Sequence, residues 1–86
     1  MKRIIGIFKP FAPYQRIVVY DGNDKLEEMN VTFKDVPNTV FGFIEKYDLK
    51  QVDLSGPKQF IRGLKQDFEK EEMKKYNKSF IEFKII

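Results

Sequence analysis

Eighty-six residues, 42% of them hydrophobic and 34% charged, suffice for one folded core and are too few for two. The formal charge of +3 is mild: +1 over residues 1–43 (six basic, five acidic) and +2 over 44–86 (ten basic, eight acidic), so bulk charge alone demands no nucleic-acid partner. Histidine and cysteine are both absent, which removes the usual general base, thiol nucleophile and zinc ligands.

Nine Phe and four Tyr stand in for disulfides or metal, because large rings remove much surface from water per side chain. The lack of cysteine fits a reducing interior. The longest apolar runs, residues 4–8 and 17–20, are too short for a signal core or a membrane span. A single domain, residues 1–86, is expected, placed in the cytoplasm with no membrane partner.

Residues 3–8 (RIIGIF) form a short β-branched run that reads as a strand buried on both faces. Pro10 and Pro13 then hold residues 9–14 out of regular structure. Residues 15–20 (QRIVVY) are a second strand, and Asp21-Gly22-Asn23-Asp24 is a hairpin turn. Residues 25–33 return as a third strand with Met29, Val31 and Phe33 on its buried face; Leu26 is out of phase, which places a bulge near Glu27-Glu28.

After the break at residues 35–37, Asn38 or Thr39 is expected to cap a helix carrying Val40, Phe41, Ile44 and Tyr47 and ending near Asp48. Residues 51–54 (QVDL) are a short fourth strand. Ser55 is expected to cap a second helix, with Pro57 at its first position. Its stripe is Phe60, Ile61, Leu64 and Phe68; beyond Phe68 the stripe is expected to fail and residues 69–75 to face solvent. Asn77 ends it. Residues 79–86 are the last strand, with Ile81, Phe83 and Ile85 on one face and Phe80, Glu82, Lys84 and Ile86 on the other.

The expected fold is therefore α/β (α+β): a five-stranded mixed sheet in β-β-β-α-β-α-β order with two helices. This order resembles the minimal core of the ribonuclease H-like superfamily, which includes ribonuclease H, resolvases and, more distantly, actin-like ATPases. The resemblance spans nearly the whole chain, in element order only. It implies that a catalytic member would carry an Asp on the first strand and a second acid on or after the fourth, together holding two divalent metals. Here the first strand reads Ile4-Ile5-Gly6-Ile7-Phe8 and then Lys9, which leaves Asp53 on the fourth strand without a partner. The actin-like phosphate hairpin would need glycine where Phe8-Lys9-Pro10-Phe11 stands. No cofactor and no metal site are expected.

Three constellations remain. Lys9, Phe11 and Tyr14, stiffened by two prolines, fit a stacking platform for a single-stranded base or a peptide; the plainer alternative tucks both rings over the sheet edge. Lys58, Arg62 and Lys65 form a basic stripe on the second helix, suited to phosphates or an acidic protein surface, or simply to water. The turn Ser55-Gly56-Pro57 lacks Walker spacing. The adjacent acids Glu27-Glu28 and Glu71-Glu72 point in different directions and read as surface charge.

The expected function is thus a non-catalytic accessory protein that binds nucleic acid or a nucleic-acid-handling protein. Its small size and Lys/Phe/Ile-rich composition fit a phage or mobile element. A homo-oligomeric or inhibitory protein-protein module working through aromatic surface and strand edges is the alternative, and a metal-dependent nuclease built on Asp53 is the third reading.

Overall fold

The computed structural model describes residues 2–86. Its strands are β1 (Lys2–Ile7), β2 (Gln15–Asp21), β3 (Asp24–Val31), β4 (Gln51–Ser55) and β5 (Glu82–Ile85), with helices α1 (Val36–Tyr47) and α2 (Lys58–Tyr76). They form one sheet in the order β3-β2-β1-β4-β5. The expected order of elements holds throughout.

The register explains where the core lies. β2 runs antiparallel to both β1 and β3, while β4 is parallel to β1 and β5 to β4. The crossovers β3-α1-β4 and β4-α2-β5 therefore link parallel strands and travel the same way across the sheet. Right-handed connections of that kind put both helices on one face. Burial agrees: Ile4, Phe8, Ile17, Val19, Val52, Leu54 and Phe83 form one cluster with Val40, Ile44, Ile61 and Phe68 of the helices.

Among the described residues, no helix covers the other face. Ile5 and Ile7 are only half-buried there, which corrects the expectation that β1 is buried on both sides. Val18 on this face is buried all the same, outside the core cluster.

Aromatic rings fill the space between helices and sheet. Phe68 stacks on Phe83 at 5.4 Å, and Phe41 meets both edge-on at 6.3 and 6.5 Å. Gly6 lets the Phe8 ring fold back over β1, since a Cβ there would stand 2.4 Å from the ring.

Local differences from expectation have identifiable causes. Val19 pairs with Glu27 and Tyr20 with Lys25, so the bulged residue is Leu26 itself. Of the expected buried face of β3 only Val31 is inside, because β3 is an edge strand; Met29 is exposed, and Phe33 has left the strand for a 3-10 turn (Phe33–Asp35). The Phe33 ring instead leans on Phe60, with centroids 5.6 Å apart.

Helix α1 begins at Val36, earlier than a cap at Asn38 or Thr39 would allow. Pro37 is accommodated in its first turn, where its missing N–H costs nothing. The Thr39 hydroxyl donates to the Asp35 carbonyl. Asp48 ends the helix in the left-handed region at φ 53°, as Asn77 ends α2 at φ 55°.

Helix α2 starts at Lys58 with Pro57 just outside it and no side-chain cap. Ser55 is not a cap: it closes β4, and its carbonyl accepts the Phe8 N–H at 2.9 Å.

The last strand is shorter than the sequence implies. Phe80 and Ile81 send their N–H groups to the Glu72 carboxylate (2.9 and 2.8 Å) instead of into the sheet, and the Ser79 hydroxyl adds a third bond at 3.1 Å. Glu72 is wholly buried, so the reading of Glu71-Glu72 as surface charge is wrong for Glu72. Its position is the fourth after Phe68, so the inward stripe continues through Ile61, Leu64, Phe68 and Glu72 to half-buried Tyr76. Burial and a hydrogen bond to Glu45 push the Tyr76 hydroxyl up to about 12.

Among the described residues, no helix is long and apolar enough to cross a membrane.

Candidate functional site

Because β1 and β4 are adjacent and parallel, their carboxyl ends open at the same end of the sheet. The chain then leaves in opposite directions, from β1 towards β2 and from β4 into α2. Such a divergence is where open α/β sheets commonly place ligands. The two exits touch: the Phe8 carbonyl lies so close to Gly56 that a Cβ there would be 2.6 Å away.

Residues 9–14 form the first exit, and one buried side chain holds them. The Gln15 amide accepts the Lys9 N–H at 2.6 Å and donates to the Lys9 and Ala12 carbonyls at 2.8 and 3.3 Å. These bonds replace the ladder that two prolines deny the loop. With its base clamped, the loop carries its rings outward. Phe11 is 100% exposed and Tyr14 60%, so the rings do not tuck over the sheet edge.

Gln15 was not singled out from sequence, although a signal existed: it alternates in phase with Ile17 and Val19 and so belongs to the core face. Gln15→Ala is expected to cost about 1–2 kcal/mol, by taking away the partner of the part-buried N–H and carbonyl of Lys9, and to release the loop. A thermal melt together with hydrogen exchange at the Lys9 amide checks this; unchanged exchange would show that the loop is held by something else.

The second exit supplies charge. Lys58 and Arg62 are exposed on α2 and Lys65 is half-buried. Lys58 sits at the mouth of the site, with Arg62 roughly 6 Å and Lys65 roughly 10 Å further along the axis. No acidic residue occurs in residues 1–20 or 54–66, the two segments that meet here. Among the described residues, no ion pair engages Lys9, Lys58, Arg62 or Lys65. The structure thus brings Lys9, Phe11, Tyr14 and Lys58 to one end and leaves Arg62 and Lys65 trailing from it.

The site is a projecting platform, not a cavity. Depressions of about 660 and 470 Å³ lie elsewhere, along the outer half of α2 and between β3 and α1, and none of the six residues lines them.

Comparison with protein-family models, curated proteins and solved structures gave no match.

Asp53 lies on the open face of β4, buried, with Ile5 beside it on β1 and Lys84 on β5. Its carboxylate accepts a hydrogen bond from Gln51 Nε2 at 2.9 Å and faces Arg3 Nη1 at 3.6 Å. No group of three or more acidic, histidine or cysteine side chains gathers among the described residues.

Glu27 and Glu28 face opposite sides of the sheet, as alternation requires. Tyr47 (2.6 Å) and Lys46 hold Glu27 below the usual carboxylate range, and Arg16 and Lys25 do the same for Glu28. Both pairs anchor edge strand β3, the first to α1 and the second to β2 and to β3 itself.

Proposed function

We propose that this protein is a non-catalytic binding module for single-stranded nucleic acid. The site is the platform formed by Lys9, Phe11 and Tyr14, extended by Lys58, Arg62 and Lys65. One observation carries the reading: Phe11 is fully exposed on a loop whose base is clamped. Leaving a Phe side chain in water forgoes about 1.5–3 kcal/mol of burial, and the Gln15 clamp keeps the loop from folding the ring away. A rigid exposed ring is what an unpaired base stacks on, at about 1–3 kcal/mol per base. The acid-free segments around it suit a phosphate backbone.

The element order supports kinship with a ribonuclease H-like core whose first strand has apolar residues in place of its carboxylate. Small size, Lys/Phe/Ile-rich composition and the lack of cysteine support a cytoplasmic accessory protein of a phage or mobile element.

The test is anisotropy of a labelled oligothymidine against salt. Affinity is expected to fall with a log–log slope of about −2 to −3, from three or four phosphate contacts at roughly −0.7 each. Phe11→Ala is expected to weaken binding about fivefold to a hundredfold with the slope unchanged. Lys58→Glu combined with Arg62→Glu is expected to flatten the slope. Absence of binding at about 20 mM salt, where the electrostatic contribution is strongest, would overturn the proposal.

A further inference from the structure

The sheet has two edges, and they are built differently. Edge strand β3 is blunted by the Leu26 bulge and by Glu27, which is tied back to Lys46 and Tyr47. Edge strand β5 has no bulge and no proline, and only β4 pairs with it. The Glu82 N–H goes to the Lys50 carbonyl and the Ile86 N–H to the Leu54 carbonyl. Even-numbered residues of β5 thus direct their backbone groups inward, and by alternation Phe83 and Ile85 direct theirs outward, off the sheet.

The side chains of this edge are ordered by charge. Glu82 and Lys84 are exposed on the open face, and neither is in an ion pair among the described residues. Ile86, 59% exposed, follows them on the same face, while Phe80 lies before the strand with its ring against Tyr76 of α2 at 5.1 Å.

We propose that a second copy of this chain pairs with β5 in an antiparallel, two-fold-symmetric register centred on Phe83, making one continuous ten-stranded sheet from two five-stranded ones. In this register Phe83 lies opposite its own symmetry mate and exchanges both backbone hydrogen bonds with it. The Ile85 N–H of each copy reaches the Ile81 carbonyl of the other, giving about four backbone bonds in all. Glu82 then lies directly opposite Lys84 on both sides of the axis.

Neighbouring registers lose this match. Centring on Lys84 puts lysine against lysine, and centring on Glu82 puts glutamate against glutamate. Like charges directly opposite are destabilising, whereas opposite charges contribute about 0.2–1 kcal/mol per pair. The edge is therefore complementary to itself in one register. An isologous contact of this kind closes at two copies and does not propagate.

The experiment is sedimentation equilibrium of the full chain across concentrations up to about 1 mM, where even an association of about 4 kcal/mol is visible. The wild type is expected to form a dimer. Lys84→Glu and Glu82→Lys are each expected to weaken self-association at least about tenfold, since two attractive pairs become repulsive. An equimolar mixture of the two variants is expected to regain a dimer of wild-type strength, and so is the double exchange Glu82→Lys with Lys84→Glu in one chain. A wild type monomeric throughout, a dimer indifferent to both substitutions, or a mixture that fails to associate would each overturn the proposal.

Discussion

Glu72→Leu is expected to destabilise the protein by about 3 kcal/mol. Leucine would fit the buried position and regain some apolar burial, roughly 2 kcal/mol for a fully buried side chain. Against that stand two charge-assisted backbone bonds from Phe80 and Ile81 and a third bond from the Ser79 hydroxyl. Bonds to a charged group are worth about 1.5–3 kcal/mol each, and an orphaned buried donor costs about 1–3 more. The Ile81 N–H is buried with its residue, so the loss of this acceptor falls in the costly part of that range.

For a domain of this size 1 kcal/mol corresponds to about 4–8 °C, so the melting temperature is expected to fall by more than about 10 °C. Glu72→Gln separates hydrogen bonding from packing. One amide oxygen can take over the two bonds that Glu72 Oε2 now accepts, so its cost is expected to be only about 1 kcal/mol. Calorimetry of the two variants decides the matter: equal losses would mean that volume matters at this position and acceptor strength does not.

Gly56→Ala is expected to cost about 3 kcal/mol, for two reasons that add. Gly56 has φ 154°, a conformation that residues with a Cβ rarely adopt. The new methyl would also meet the Phe8 carbonyl at 2.6 Å and Ile61 Cδ1 at 2.9 Å. The side chain could turn away, but the carbonyl could not: the Phe8 N–H is bonded to Ser55 and the next N–H to Gln15. Relief therefore requires β1 and β4 to part at their carboxyl ends, beneath the platform.

Loss of oligonucleotide affinity is expected alongside the loss of stability. Gly63→Ala is the control. It lies exposed in the interior of α2 with nothing within 4 Å of an added Cβ, and alanine there is expected to stabilise by about 0.5–1 kcal/mol. Chemical denaturation of both variants tests the pair; similar behaviour at the two sites would refute the close approach of Gly56 to Phe8.

Much of the fold was legible in single segments. The apolar run at residues 17–20 and the turn at residues 21–24 located β2 and the hairpin. The spacing of Val40, Phe41 and Ile44 located α1, and Asp48 and Asn77 marked the two helix ends where left-handed backbone is found. Carried further, the same periodicities put Gln15 in phase with Ile17 and Glu72 four residues after Phe68, although the stripe read from the sequence ends at Phe68 and leaves Glu72 at the surface. Polarity argued against burial there, because a polar side chain belongs inside only when its partners are known. Those partners are backbone groups of the loops at residues 9–12 and 80–81, which take position only as the chain folds.

Of the candidate site, the residue types were visible and their arrangement was not. Lys9, Phe11 and Tyr14 could be read as stiff and aromatic, yet nothing local distinguished an outward ring from a tucked one. That depended on a glutamine reaching back across the loop.

Residue order alone determined the succession of strands and helices, because periodicity and turn chemistry act over a few neighbours at a time. Tertiary structure decided which sheet face stays open, that the exits of β1 and β4 meet, and how β5 is shortened by a buried carboxylate. Each of these arises from contacts between segments far apart in the chain, whose geometry is set by the direction of the crossovers and by competition for backbone donors.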